Sequence, residues 1–319
     1  MRIAFCHHLS LSYYGGGEKW LIQLSNELVK RGHEVSIYAL PFLLDGKPKV
    51  NPKDFLPEIP YFEGIRHYVN ADVTYLTYNP LSWINFKTSH PRIAGIHSHA
   101  YWFSPHPSYG LLPNLANVTN RFTSYFELRG YDAVHTVTNV FPINHPKVYY
   151  IPNFVDSERF KPCEEKEDVF TVAFASRNVW QKGWDIFRNV KERLDNDINV
   201  KISYGKVSEE NMPSFLSSAH VTLIPSRVDT FGLSIVESMM CETPVITTPS
   251  LVHIGLKLPC RYAKEPSSFL KEVRAVKMLY SEFNDTYERF IKECRERALV
   301  YDKKKIVDRL EKMFEAVAK

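Results

Sequence analysis

Short apolar runs alternate with amphipathic segments in the first half of this 319-residue chain. The runs RIAF and EVSIYAL flank a helical pattern at about residues 17–31, and VTYL, RIAGI and AVHTVT follow, with a second helical pattern at about 117–129. Strands that alternate with helices in this way form a parallel sheet with helices on both faces. The pattern therefore predicts an α/β domain.

The same alternation starts again after the turn-rich segments PINHPK and IPNFVD. The runs VFTVAFA, NVKISY, HVTLIP and PVITT alternate with helical patterns near 183–195 and 209–218 and after Thr230, and charged helices follow from about 266. We therefore predict two α/β domains, 1–150 and 151–300, and a C-terminal helix at 301–319, for which packing against the first domain is one option.

Composition narrows the class of protein. With 44% hydrophobic residues the chain can bury one large core or two ordinary ones, and its five scattered cysteines contain no CxxC pair that would suggest a disulfide framework or a zinc site. The start of the chain reads as a strand, and the sequence contains no apolar run long enough for a membrane span. We expect a cytoplasmic location, and the formal net charge of +4 is too small to argue for nucleic acid.

A glycine-rich loop, YYGGGEKW, follows the first strand and opens a helix, as phosphate-binding loops do. The loop is not GxGxxG, however, and the second strand ends in IYALPF without the acid that would bind the ribose of a dinucleotide. These differences disfavour an enzyme that uses a nicotinamide cofactor.

The segment PSRVDTFGLSIVES places Asp229 and Glu237 on either side of a Phe-Gly-Leu step that reads as the first turn of a helix. The unpaired N–H groups at a helix N-terminus favour an anion. Glu237 shares a helical stripe with Ser234, Ser238 and Cys241, whose small side chains would leave room for a ligand. An ordinary polar helix face remains the alternative for this stripe.

Four stretches together resemble the retaining glycosyltransferases of family four. They are GGGEKWLIQLSNELVKRGHEVSIYA, YIPNFVDSERF, FASRNVWQKGWDIF and IPSRVDTFGLSIVESMMCETPVI, in that order along nearly the whole chain. The resemblance implies the GT-B fold, with an acceptor-side Rossmann-like domain and a nucleotide-sugar-binding Rossmann-like domain that face each other across a cleft. It also implies transfer of a sugar from a nucleotide diphosphate, of UDP or GDP type, to a glycan or lipid-linked acceptor.

The resemblance assigns the charged groups of the donor site. Arg177 and Lys182 would bind the diphosphate, where negative charge grows as the glycosidic bond breaks. Glu237 would accept hydrogen bonds from the donor ribose. Asp229 stands where the family usually has Glu, so it either contacts the donor sugar with a shorter reach or caps the helix instead. The backbone N–H groups that would face the ligand at the helix start are those of Phe231, Gly232 and Leu233.

Two residues of the first domain complete the implied site. Gly16 matches a glycine whose backbone approaches the donor phosphate, and a turn that needs positive φ is compatible with that role. His97, at the end of RIAGI, is similar to a family histidine that contacts the donor sugar. Together with His99 it could also suggest a metal pair, but no third ligand is evident and the family needs no metal. Aromatic residues that could stack on a sugar or pack in the core follow directly: Tyr101, Trp102 and Phe103.

Some features depart from the family pattern. Phe154 and Glu242 stand where relatives have glycine, and the chain after NVKISYG omits a helix and strand that many relatives contain. These departures suggest a reduced GT-B enzyme and leave the nucleobase open. A non-catalytic protein that binds a sugar nucleotide or a partner, and a sugar-nucleotide epimerase of the same fold, remain alternatives, and so does peripheral association with a membrane.

Overall fold

The computed structural model describes residues 1–41, 50–97, 110–140, 143–204 and 206–319. Within these residues the chain divides into two compact units, one formed by Met1–Pro152 and Ile306–Lys319 and the other by Asn153–Lys305. Each unit contains a parallel sheet with helices. The predicted α/β class is therefore confirmed.

The first unit is built on a seven-stranded sheet in the order β3-β2-β1-β5-β7-β8-β9, and all neighbouring strands run parallel. A separate pair, β4 and β6, is also parallel. The strands are β1 (Arg2–His7), β2 (Glu34–Ala39), β3 (Tyr61–Glu63), β4 (His67–Val69), β5 (Val73–Thr77), β6 (Phe86–Thr88), β7 (Arg92–Ile96), β8 (Ala133–Thr136) and β9 (Val148–Tyr150).

Among the described residues, the α-helices of the first unit are α1 (Gly16–Lys30) and α2 (Leu111–Glu127), together with the last helix of the chain. Helix α1 begins after Gly15, whose N–H donates to the Glu18 carboxylate at 2.8 Å, and ends before Gly32, whose φ of 86° suits the residue that follows a helix. The predicted helix at about 117–129 starts earlier, at Leu111, and ends at Glu127.

The second unit has a five-stranded parallel sheet in the order β11-β10-β12-β13-β14. Its elements are β10 (Thr171–Phe174), α3 (Trp184–Lys191), β11 (Asn199–Ile202), α4 (Met212–Ser217), β12 (Val221–Ile224), α5 (Leu233–Met240), β13 (Val245–Thr247), α6 (Leu251–Gly255), β14 (Arg261–Tyr262), α7 (Pro266–Glu282) and α8 (Asn284–Ala298). The core between sheet and helices includes Phe174 stacked on Phe187, with ring centroids 4.3 Å apart.

The last helix, α9 (Lys303–Ala318), contributes its segment from Ile306 onward to the first unit. The buried ring of Phe314 meets Phe5 and Tyr75 edge to face, each with centroids 5.9 Å apart. Glu311 accepts hydrogen bonds from Arg31 at 2.8 Å and His33 at 2.7 Å. The end of the chain is thus part of the core of the unit that contains its beginning.

Candidate functional site

Two loops of the second unit bring the predicted Lys182 and Asp229 together. The Gln181 carbonyl accepts backbone hydrogen bonds from Arg227 at 2.9 Å and Val228 at 3.2 Å. Gly183 adopts φ 71°, and a Cβ at this position would lie 2.0 Å from the Pro225 carbonyl oxygen, so the two loops can approach this closely only with glycine here. This glycine lies in the segment QKGW, and the sequence alone did not indicate its role.

Lys182 and Asp229 form an ion pair that is largely protected from water. The Lys182 Nζ donates to Asp229 Oδ2 at 2.9 Å, and the two side chains are 20% and 13% exposed. Asp229 Oδ1 accepts a further bond from the Thr230 N–H at 3.0 Å. Burial would raise the pKa of Asp229, but the positive charge of Lys182 and the nearby His253 outweigh it, so this pKa lies well below its usual range. The carboxylate is therefore ionised at neutral pH.

His253, which sequence reasoning missed, lies behind this pair. Its Nδ1 is 3.1 Å from the Thr248 carbonyl oxygen, which can only accept, so Nδ1 carries a proton. Its Nε2 is 3.6 Å from Asp229 Oδ2, beyond hydrogen-bond length, and the ring is fully buried. The ring also lines the space beside Gly232, since a Cβ on that glycine would lie 3.4 Å from His253 Cδ2. The only feature of the sequence that could have indicated His253 is its position as a polar residue shortly after the apolar run PVITT.

The helix start that follows Asp229 is formed as the sequence predicts, but Asp229 does not cap it. Gly232 is the N-cap of α5, with φ 95°, and no side chain makes a cap hydrogen bond there. Phe231 is buried and packs edge to face on Tyr301, with centroids 5.5 Å apart, and Leu233 is the first helical residue. The capping interpretation of Asp229 is therefore wrong, while its contact with a donor sugar stays a prediction.

The other charged residues of this unit differ in exposure. The Arg177 side chain is exposed and makes no hydrogen bond or ion pair with the residues the structure describes. Glu237 is half-buried on α5. Ser238 is fully buried, with its hydroxyl hydrogen-bonded to the Thr222 hydroxyl and to the Thr243 carbonyl, and Cys241 is also buried. The predicted stripe of small side chains around Glu237 is thus partly core, and only its Ser234 and Glu237 positions reach the surface.

In the first unit, Gly16 is the first residue of α1, after the N-cap Gly15. A Cβ on Gly16 would meet no atom within 4 Å, and its φ is not positive, so the expected turn with positive φ is wrong. Beneath this loop Glu18 accepts bonds from the Gly15 N–H at 2.8 Å and from His7 Nε2 at 3.0 Å. Burial would raise the pKa of Glu18, but the hydrogen bond from His7, together with the other polar interactions of the carboxylate, outweighs burial and lowers this pKa. A buried hydrogen bond to the ionised Glu18 therefore joins the end of β1 to the start of α1.

His97 lies directly after β7 and is held by a chain of hydrogen bonds. Its Nε2 is 2.8 Å from the Tyr75 hydroxyl, which is 2.5 Å from His135 Nδ1, and His135 Nε2 is 2.8 Å from the Ile151 carbonyl oxygen. Burial lowers the pKa of His135 to about 4, so this ring is neutral at pH 7. The Tyr75 side chain passes directly over Gly95, where a Cβ would lie 2.0 Å from the hydroxyl oxygen.

The direction of each bond in this chain follows from the carbonyl at its end. The Ile151 oxygen can only accept, so His135 donates from Nε2 and accepts at Nδ1. Tyr75 therefore donates its only proton to His135 and accepts from His97 Nε2. The network therefore places a proton on Nε2 of His97. The sequence placed Tyr75 and His135 inside apolar runs, which read as core.

The remaining predictions concern metals and aromatics. His99, Tyr101, Trp102 and Phe103 lie outside the described residues. Across the described ranges the structure contains no group of three or more His, Cys, Asp or Glu that could hold a metal ion. In the same part of the chain, no helix is both long and apolar enough to cross a bilayer.

The sequence of this chain is similar to a known protein family and to several known proteins. The family model described as Glycosyl transferases group 1 matches residues 192–253, a segment that contains Asp229, Gly232 and Glu237. One subunit of the human phosphatidylinositol N-acetylglucosaminyltransferase is 22% identical over 297 residues, which cover 73% of this chain and 59% of that protein. An uncharacterised 41.2 kDa protein of the cps region of Klebsiella pneumoniae is 30% identical over 31% of this chain and 35% of its own length. The chain thus spans between about a third and three fifths of these two relatives.

Solved structures superpose on nearly the whole chain. A glycosyltransferase from Rickettsia africae superposes with a TM-score of 0.75 at 12% identity, covering 100% of this chain and 98% of that one. HepE from Anabaena, solved in complex with UDP and glucose, superposes with a TM-score of 0.72 at 13% identity, covering 99% and 100%. The predicted GT-B fold of two Rossmann-like domains is therefore confirmed. Together with the family match, the fold supports a glycosyltransferase.

Proposed function

We propose that this chain is a retaining glycosyltransferase of family four. It transfers a sugar from a nucleotide-diphosphate donor, of UDP or GDP type, to a hydroxyl of a glycan or lipid-linked acceptor. The observation that carries the proposal is the protected Lys182–Asp229 pair beside the start of α5. The names of two similar proteins support the proposal. One structural neighbour was solved with UDP and glucose, and one curated relative is named for transfer to phosphatidylinositol.

The charges of the site suit the proposed reaction. As the glycosidic bond breaks, the leaving diphosphate gains negative charge and the anomeric carbon becomes cation-like. Lys182 and the exposed Arg177 would bind the diphosphate, and the N–H groups at the start of α5 would add partial positive charge. These groups can supply the positive charge that the leaving group requires without a metal ion.

The proposed chemistry retains the configuration of the sugar. The acceptor hydroxyl approaches on the face that the diphosphate leaves, its oxygen bonds to the anomeric carbon, and its proton passes to a departing phosphate oxygen. No covalent nucleophile is needed, so the ionised Asp229 acts on charge and position only. We assign Glu237 to the ribose, His97 to the sugar and the Gly16 backbone to the phosphate.

We also propose a reducing, cytoplasmic location. All five cysteines are unpaired, and burial raises the pKa of Cys241 and Cys260 to about 12, so these two stay protonated and unreactive. Nothing in this arrangement benefits from an oxidising compartment.

The first experiment measures donor binding and turnover together. Purified protein is titrated with UDP, GDP and their sugar conjugates in a thermal-shift assay, and release of nucleoside diphosphate is then followed with glycan and lipid-linked hydroxyl acceptors. We expect stabilisation by one nucleotide, which Glu237→Ala weakens and the exposed control Glu282→Ala does not. Lys182→Met should slow turnover at least about a hundredfold while the exposed control Lys264→Met leaves it unchanged.

Three results would contradict the proposal in different ways. Donor binding without release of nucleoside diphosphate for any acceptor would favour a non-catalytic binding protein. Conversion of the donor sugar without an acceptor would favour an epimerase. A product with inverted anomeric configuration, read by nuclear magnetic resonance, would leave the transferase assignment standing and overturn retention.

A further inference from the structure

Helix α2 exposes its large apolar residues, whereas the residues it buries include two polar ones. Leu111 is 83% exposed and Phe122 69%, whereas Asn117 is 4% exposed. Ser124 is also buried. The other exposed apolar residues of this helix are Leu112, Leu115, Val118, Tyr125 and Phe126. This is the reverse of the arrangement expected for a helix that packs on a water-soluble domain.

The exposed residues form one continuous face. At 3.6 residues per turn, the positions of Leu111, Leu115, Val118 and Phe122 fall within about 60° of one another around the helix axis. Asn117 lies roughly 130° away from the centre of that arc. Soluble proteins seldom expose a continuous apolar face of this kind unless it contacts a partner or a membrane.

The helix is anchored in this orientation at its C-terminal end. The Glu127 carboxylate accepts hydrogen bonds from the Tyr78 hydroxyl at 2.6 Å and from the Leu81 N–H at 3.2 Å. Leu128, the residue after the helix, is buried. The turn that starts at Leu81 also exposes large apolar side chains, those of Leu81, Trp83 and Ile84. The outward direction of the apolar face is therefore fixed by contacts on the opposite side.

The charges on this helix and on the turn directly after it favour an anionic partner. Arg121 and Arg129 are exposed, and Arg129 lies over the Tyr125 ring, with its guanidinium carbon 4.6 Å from the centroid, and donates to the Tyr125 hydroxyl at 2.9 Å. Glu127 is the only acidic residue of the helix, and its carboxylate is bound inward. A second copy of the same face would bring arginine against arginine. A lipid surface with negative headgroups offers both an apolar layer and the opposite charge.

We infer that the exposed face of α2 docks on the surface of a membrane that contains anionic lipids. The helix lies in the plane of the interface, with its leucines and phenylalanines among the upper acyl chains and its arginines at the headgroups. Tyr125 suits the boundary between the two because its ring is apolar and its hydroxyl is polar. The inference goes beyond the proposed catalytic function, because docking needs neither donor nor acceptor sugar.

Vesicle flotation tests the inference without any substrate. Purified protein is mixed with vesicles of phosphatidylcholine alone or of phosphatidylcholine with phosphatidylglycerol, at low and high salt. We expect binding to the anionic vesicles that weakens with salt. The double variant Leu115→Ser, Phe122→Ser should lower the partition coefficient at least about tenfold, because two large apolar side chains leave the acyl layer. The matched control Leu251→Ser, Val300→Ser removes exposed apolar side chains of the second unit and should bind as wild type does.

A second variant and a size measurement complete the test. Arg121→Gln with Arg129→Gln should remove the preference for anionic vesicles. Circular dichroism and the melting temperature establish that each variant is folded. The inference is overturned if folded wild type does not float with anionic vesicles, or if the α2 double variant floats equally well. A dimer in light scattering that separates in the α2 double variant, without vesicle binding, would assign the face to a second copy instead.

Discussion

Replacing Lys182 by methionine should destabilise the second unit through Asp229. The variant keeps the length of the side chain and removes the charge that lies 2.9 Å from the Asp229 carboxylate. At an effective dielectric constant of 20 the attraction at this distance is about 6 kcal/mol before desolvation and side-chain entropy are subtracted. Removing one partner of a buried pair usually costs about 3–5 kcal/mol, and the 20% and 13% exposure of these side chains reduces the expected loss to about 2–3 kcal/mol.

A double-mutant cycle isolates this interaction. The free energies of unfolding of wild type, Lys182→Met, Asp229→Asn and the combined variant are measured in urea. We expect the combined variant to be more stable than Lys182→Met alone, because the asparagine leaves no buried charge without a partner. The coupling energy should be about 2 kcal/mol at pH 7.

The pH dependence gives the cycle an internal check. The folded-state pKa of Asp229 is lowered, so its contribution to stability is present above the unfolded pKa of about 4 and is lost as the pH falls below it. The difference between wild type and Lys182→Met should therefore shrink in acid. Either of two results would refute a stabilising interaction between Lys182 and Asp229. One is a coupling energy within error of zero at pH 7, and the other is a stability difference between wild type and Lys182→Met that does not change in acid.

Three further changes test the packing around the candidate residues. Gly183→Ala should lower the free energy of unfolding by at least about 2 kcal/mol in urea, because its Cβ would lie 2.0 Å from the Pro225 oxygen at φ 71°; an unchanged midpoint would contradict the close approach. Gly95→Ala should be similarly destabilising because its Cβ would lie 2.0 Å from the Tyr75 hydroxyl, and combining it with Tyr75→Phe should recover part of the loss. Tyr75→Phe alone should cost about 1–3 kcal/mol in the same assay, since it removes the hydroxyl that bonds to His97 and to the buried His135. It should also slow turnover, because the tautomer of His97 is no longer fixed, and wild-type stability and rate would contradict the hydrogen-bond chain.

The sequence predicted the α/β class because buried parallel strands are apolar over most of their length. VTYL, RIAGI and HVTLIP all become central strands. The pair β4 and β6 was not predicted, since strands of three residues are too short to show a period. The outward apolar face of α2 was also missed, because a helical period gives the width of an apolar stripe and not the side on which the domain lies.

The sequence predicted some residues of the candidate site and missed others. Lys182 was predicted because the stretch FASRNVWQKGWDIF resembles the glycosyltransferase family, and Asp229 because it precedes a predicted helix start. His253, Tyr75 and His135 stand within or directly behind apolar runs, where a polar side chain is usually a hydrogen-bonded core residue. Only the tertiary structure shows that Tyr75 and His135 belong to the hydrogen-bond chain of His97. It alone also shows that His253 lies beside Asp229.

The shorter acid at position 229 fits the proposed reaction in a way that the sequence left open. A glutamate would reach about 1.3 Å further, whereas Asp229 is held at its own loop by the Thr230 N–H and at its end by Lys182. The pair therefore presents a positive and a negative group 2.9 Å apart before any donor binds. A breaking glycosidic bond develops the same two charges at a similar separation, negative on the leaving oxygen and positive on the anomeric carbon. If Lys182 faces the leaving oxygen and Asp229 the sugar, the pair is already oriented for the transition state, and the cost of aligning it is met during folding and not during catalysis.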